Sequence, residues 1–164
     1  MKPIIQALGV AAIVGGALRI ADSFVTHVLV LDTLALLYVL TDIFLLLGIA
    51  GIYLSRRATL GAAGVIGATI FAAGILLVRV SAIGVLGASG YQLAASVALA
   101  GLAILSVETV IRRNGRYLSA ALWLLSLAFG VTGIAGLAPV AMAILAGVAF
   151  GAGFIAAGAE ILAV

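Results

Sequence analysis

Residues 33–57 read TLALLYVLTDIFLLLGIAGIYLSRR. From Thr33 to Leu54 this run carries one charge, Asp42, before the basic pair Arg56-Arg57 closes it. A helix needs about 20 mostly apolar residues to cross the hydrocarbon core of a bilayer. The run has that length and keeps its basic charges at one end, so it reads as a membrane span.

The rest of the chain repeats the pattern. Of 164 residues, 66% are hydrophobic and 8% charged, against roughly 25% charged in a soluble domain. So few charges cannot cover a water-facing surface, and lipid is the remaining solvent. Five further apolar runs lie at about 4–24, 59–80, 91–111, 117–136 and 139–162. The expected fold is all-α, a single domain over 1–164 forming a bundle of six transmembrane helices. Lys2 before Ile4–Leu18 has the outline of a signal peptide, with Gly15-Gly16-Ala17 as a cleavage site; we read it as the first span.

Local residues explain the breaks. Asp32-Thr33 can cap the second helix, and Pro139 suits the first turn of the sixth. The stretch Ser81–Gly90 is glycine-rich and reads as a loop. Residues 22–32 read as a surface flap or broken helix, because Asp22 and Ser23 interrupt the apolar run. With six alternating spans, Lys2, Arg56, Arg57, Arg112, Arg113 and Arg116 fall on one side. Cytoplasmic loops are enriched in Lys and Arg, so both termini are expected in the cytoplasm and the chain in the cell membrane as a multi-pass protein. Glycines recur at 61, 64 and 67, at 84, 87 and 90, at 130, 133 and 136, and at 147 and 151. Small residues let helices approach closely in lipid. The simpler use is packing within one chain; the other is a membrane-protein partner docked on the Gly/Ala-rich faces.

Ionisable groups inside a membrane are costly, and so are candidates for function. Arg19, Asp22, His27, Asp32, Tyr38, Asp42, Arg79, Tyr91 and Gln92 all map to the outer half, from four helices and one connection. Such convergence is how bundles build ligand sites. We take Arg19, Asp22, His27, Tyr38, Asp42, Arg79, Tyr91 and Gln92 as a candidate ligand site for a small apolar or anionic ligand. The alternatives are that an arginine merely neutralises Asp42, or that Arg19 and Arg79 snorkel to outer headgroups. A lone histidine cannot build a bis-histidine haem or a histidine zinc cluster, and the chain has no cysteine. No metal and no cofactor are expected. Glu108 and Arg112 form an i, i+4 pair, Glu160 is either exposed or paired with a loop arginine, and Tyr53, Tyr117 and Trp123 read as interfacial anchors. The loop arginines can also attract anionic headgroups. A basic patch for nucleic acid would need a polar surface that this chain lacks.

Two resemblances accompany these readings. Gly87-Ala88-Ser89-Gly90 is similar to the GxSG nucleophile motif of rhomboid intramembrane proteases. That family takes its base from a histidine on a later helix, and this chain has none after His27, which excludes the protease. The six spans, cytoplasmic termini, outer polar site and flap resemble the substrate-binding subunits of energy-coupling-factor vitamin transporters. Ala7 and Ala11 match the AxxxA spacing with which that family's first helix docks on its coupling subunit; no vitamin-specific signature accompanies it.

Three functions follow, in order of preference. The first is a membrane protein binding a small or lipid-like ligand in an outer polar cavity, as a transporter's substrate-binding subunit does. The second is an accessory subunit of a larger membrane complex, which predicts grooves and no pocket. The third is an intramembrane isomerase, cyclase or hydrolase using Asp42 with Arg19, which requires Asp42 free of a closed arginine pair.

Overall fold

The computed structural model describes residues 2–25, 31–82, 87–112 and 117–163. They form six helices: α1 (Lys2–Val25), α2 (Leu31–Arg56), α3 (Ala62–Ala82), α4 (Gly87–Ile111), α5 (Tyr117–Ile134) and α6 (Pro139–Leu162). All six are long and apolar enough to cross a membrane. The shortest, α5, has 18 residues, about 27 Å at 1.5 Å per residue. Large apolar side chains such as Leu36, Ile66 and Leu118 have more than half their area exposed, as helices built for a lipid solvent would.

Each helix packs against its neighbours in sequence, and α6 closes back onto α1, so the six form a ring. Contacts run antiparallel throughout: Gly9 meets Gly158 and Gly16 meets Gly151 between α1 and α6, while Gly67 meets Gly101 between α3 and α4. Both chain ends therefore lie at one end of the bundle, with Arg56, Arg57 and Arg112. We call this the basic end.

The seams are unequal. The α1–α6, α1–α2, α3–α4 and α5–α6 seams are close; α2–α3 and α4–α5 are thin. Glycine makes the close ones possible. A Cβ on Gly16 would strike the Gly151 carbonyl oxygen, and one on Gly67 would lie 2.7 Å from that of Gly101. Gly147 and Gly151 face Ser23 and Gly16 of the same chain, so this GxxxG pair is used inside the bundle. At the basic end the core is continuous. Phe71, Trp123 and Phe154 are almost wholly buried, with Phe150 beside them. Ring centroids lie 5.3 Å apart for Trp123–Phe154 and Phe150–Phe154, and 5.5 Å for Phe71–Phe154. Beneath this layer Arg56 Nη2 donates to Glu160 Oε2 at 2.5 Å, and Ser119 Oγ lies 3.3 Å from the same oxygen, tying α2, α5 and α6.

Several expectations need correction. Asp22–Val25 are helical, and α2 already includes Leu31 and Asp32, so 22–32 is not one flap; residues 26–30, with His27, lie outside the described residues. Asp32-Thr33 sits inside the first turn of α2 rather than capping it. Ser81 and Ala82 end α3, and Gly87–Gly90 begin α4, so Ser81–Gly90 is not one loop. The helices pass these polar residues because Ser23 Oγ donates to the Arg19 carbonyl at 3.1 Å and Ser81 Oγ to the Leu77 carbonyl at 2.8 Å. A hydroxyl satisfied on the preceding turn need not break a helix. Trp123 is 1% exposed and is a core residue, not an interfacial anchor. Arg56 is buried on Glu160 and cannot greet headgroups. Ala11 is buried while Ala7 is exposed, so the two do not present one docking face. Glu108 does pair with Arg112, at 2.8 Å, and also accepts the Gly61 N–H at 3.0 Å, capping the start of α3.

The α5–α6 turn is built by backbone chemistry. Leu137 N–H bonds to the Thr132 carbonyl and Gly136 N–H to that of Gly133, with Gly136 at φ 88°. This is the left-handed glycine cap that ends many helices, and Pro139 then opens α6 as expected.

The seams give a direct test. Gly16→Val and Gly151→Val drive a side chain into a backbone carbonyl and should each destabilise the fold by about 3 kcal/mol. Gly130→Ala adds a Cβ whose nearest neighbour is Leu99 Cδ1 at 3.7 Å and should be neutral or stabilising. Thermal unfolding in one detergent compares the three.

Candidate functional site

Above the aromatic layer, toward the end opposite the basic one, the ring is hollow. A cavity of about 1070 Å³ is lined by side chains from all six helices. Its deepest residues include Leu45, Ile75, Ala98, Ser126 and Phe150. Beneath them lies the packed layer of Phe71, Phe154 and Trp123, so the cavity is blind. A smaller recess of about 420 Å³ shares Arg19, Asp22, Tyr38 and Tyr91 with it and reaches Val140 and Ile144 on α6.

Seven of the eight side chains singled out in the sequence line the large cavity: Arg19, Asp22, Tyr38, Asp42, Arg79, Tyr91 and Gln92. The eighth, His27, lies outside the described residues. Arg19 and Asp22 come from the last two turns of α1, Tyr38 and Asp42 from successive turns of α2, and Arg79 from the last turn of α3. Tyr91 and Gln92 open α4.

Helix direction decides where the two arginines point. Side chains tilt toward the N-terminus of their own helix. Both α1 and α3 run from the basic end, so Arg19 and Arg79 lean into the bundle rather than toward its rim. Arg79 reaches down to Asp42, with Nε 2.9 Å from Oδ2 and Nη2 on the same oxygen. The Arg19 guanidinium carbon lies 5.9 Å from the centroid of the Phe150 ring, a cation–π distance. Snorkelling to headgroups is therefore not what either arginine does.

The two acids are withdrawn. Asp22 is 1% exposed, and the Thr41 hydroxyl across the α1–α2 seam donates to the Leu37 carbonyl at 2.9 Å. Asp42 is held by Arg79. Among the described residues Arg19 has no ion-pair partner. Arg19, Tyr38, Tyr91 and Gln92 thus border the cavity with polar groups set against an apolar floor.

Sequence reasoning missed part of the lining. Thr41, Ser126 and Phe150 line the cavity, and Ser126 Oγ donates to the Ala146 carbonyl at 2.8 Å, joining α5 to α6. The i, i+4 spacing of Phe150 and Phe154 marks an aromatic stripe but not its role as a floor. Gly130, read as a packing residue, instead leaves space, while Gly133 borders the cavity and packs on α6, where a Cβ would lie 3.2 Å from Met142 Cβ. Among the described residues no group of three or more metal-ligating side chains occurs.

Comparison with protein-family models, curated proteins and solved structures yields no match.

The Asp42–Arg79 pair makes a measurable contribution. Asp42→Asn leaves Arg79 without its counter-charge and should cost about 2 kcal/mol, between the values for exposed and fully buried pairs. Asp42→Leu with Arg79→Met removes both charges and should recover much of that loss. Unfolding midpoints of the single and double variants give the coupling energy.

Proposed function

We propose that this chain is a multi-pass membrane protein that binds a small, lipid-like ligand in the cavity opposite its basic end. The observation that carries the reading is the meeting of polar side chains from α1, α2, α3 and α4 around one cavity of about 1070 Å³ with an apolar floor. Ligand sites commonly have a volume of about 300–1,000 Å³ and few polar groups among many apolar ones. A volume at the top of that range suits a long molecule. In this reading the basic end, with both termini, faces the cytoplasm, because Arg and Lys are retained there; the cavity then faces the opposite side of the cell membrane. The bilayer is both solvent and source of lipid-like ligands.

The same features weigh against the other two readings. An accessory subunit needs grooves on its lipid face and no pocket. An enzyme using Asp42 needs that carboxylate available as acid or base, yet both an Nε and an Nη of Arg79 sit on it. Service as the substrate-binding part of a transporter remains the specific form of the binding reading that the six-helix architecture favours.

Gly130→Leu is expected to abolish binding. Its side chain would project into the cavity from α5, where a Cβ meets only Leu99. Protein purified from membranes in a mild detergent should carry a molecule released on denaturation and identified by mass spectrometry. The Gly130→Leu protein should carry at least about tenfold less, a difference of 1.4 kcal/mol. Equal loading of the two, with equal thermal stability, would exclude this cavity as the site. Orientation is tested separately. The chain has no cysteine, so single cysteines at Thr59 and Leu137 can be labelled in intact cells with a membrane-impermeant maleimide. Leu137→Cys should react and Thr59→Cys should not.

A further inference from the structure

We infer that the occupant of the cavity is a single-chain amphiphile whose anionic oxygen head, a carboxylate or phosphate, seats on Arg19. This rests on the binding function proposed above and specifies its ligand class.

The cavity's charges lead to this choice. Of its four charged side chains among the described residues, Asp42 and Arg79 satisfy each other. Asp22 borders the cavity but is 1% exposed. Arg19 alone brings a charge to the interior without an ion pair among the described residues. Its direction makes this unusual. An arginine near a helix end in lipid ordinarily escapes to the interface, whereas this one leans inward over Phe150. A guanidinium at that depth is costly unless an anion meets it, and its planar fork suits carboxylate and phosphate oxygens.

The neighbouring groups agree. Tyr91 and Gln92 share the cavity with Arg19 and can donate to further oxygens of the same head. Among the described residues a cationic head would find no open carboxylate, since Asp22 is 1% exposed and Asp42 already holds an arginine. From Arg19 the apolar wall runs across Leu45, Ile75 and Ala98 to Gly130 on α5. Gly130 lies at the thin α4–α5 seam, and a wall of this kind suits one acyl or prenyl chain.

Trp123 is the only tryptophan. It packs on Phe154, whose ring neighbours Phe150 on the cavity floor, so it reports on a quencher carried down to that floor. The test uses 9,10-dibromohexadecanoate and 9,10-dibromohexadecanol, matched chains with bromine at mid-chain, added to the protein in phosphatidylcholine nanodiscs. The acid should quench Trp123 at concentrations about tenfold or more below those of the alcohol, the size of one charge-assisted contact. Arg19→Gln should remove that preference, and Arg19→Lys should retain most of it. The comparison in the unaltered protein stands even if a variant misfolds. Equal quenching by acid and alcohol would overturn the anionic head while leaving binding in place. Quenching by neither, with no change in Gly130→Leu, would overturn the binding function itself. Discs containing phosphatidylglycerol separate two sources of the same head. Displacement of the acid by that two-chain lipid would keep the anionic head but overturn the single chain, and its absence supports a free amphiphile.

Discussion

A charge set among apolar helices needs a counter-charge, and the Asp42–Arg79 pair organises the open half of this bundle for that reason. It spans α2 and α3, where few other contacts join the ring. Asp42 lies eleven residues into α2, while Arg79 lies only three from the end of α3. They meet because the arginine side chain leans back along its helix by several ångströms. Either group alone would be a burdensome charge; together they close a gap between two helices. The pair also fixes the cavity's electrostatics, since it uses the one acid partly open to the lumen and leaves Arg19 as the interior cation.

The space itself arises from unequal helix packing. Where glycines oppose each other, as Gly16 with Gly151 and Gly67 with Gly101, backbones touch. Six cylinders held by four such close seams and two loose ones cannot fill the ring's centre along its whole length. At the basic end the gap is filled by Phe71, Trp123, Phe150 and Phe154, whose rings supply the bulk that the glycines omit. Toward the other end the central positions are Gly130, Gly133, Ala143 and Ala146, and nothing fills the volume they leave. One residue type thus plays two parts. A glycine facing a backbone makes a contact, and a glycine facing the ring's centre makes room.

The same distinction marks what could be read from sequence. Span number and approximate limits follow from the length of apolar runs, which the bilayer fixes. The grouping of Arg19, Tyr38, Asp42, Arg79, Tyr91 and Gln92 follows from depth, because alternating spans bring residues at like depth together whatever the ring order. Which arginine pairs with Asp42 does not follow, because it depends on helix neighbours. Breaks were overestimated at Asp22-Ser23 and Ser81, since composition does not reveal that a serine hydroxyl has bonded to the turn before it. Trp123 could not be told from an interfacial anchor, because its depth is right for either and only Gly153 opposite makes room for the ring. The cavity's volume was likewise invisible, being a property of what is missing between helices.

A blind cavity constrains how anything could leave it. Passage toward the basic end would have to part the aromatic layer and then the Arg56–Glu160–Ser119 contact beneath it, exposing a buried arginine whose partner acid is drawn away. Breaking a buried pair costs about 3–5 kcal/mol, before any ring is moved. Sideways exit through α2–α3 meets the same objection, because Asp42 and Arg79 must separate. The α4–α5 seam has no such pair among the described residues, and its lining at Leu99, Gly130 and Gly133 is apolar or bare. Among the routes between helices, the α4–α5 seam is therefore the one that would part at least cost. That route keeps both ion pairs intact and requires only that helices already in loose contact move apart.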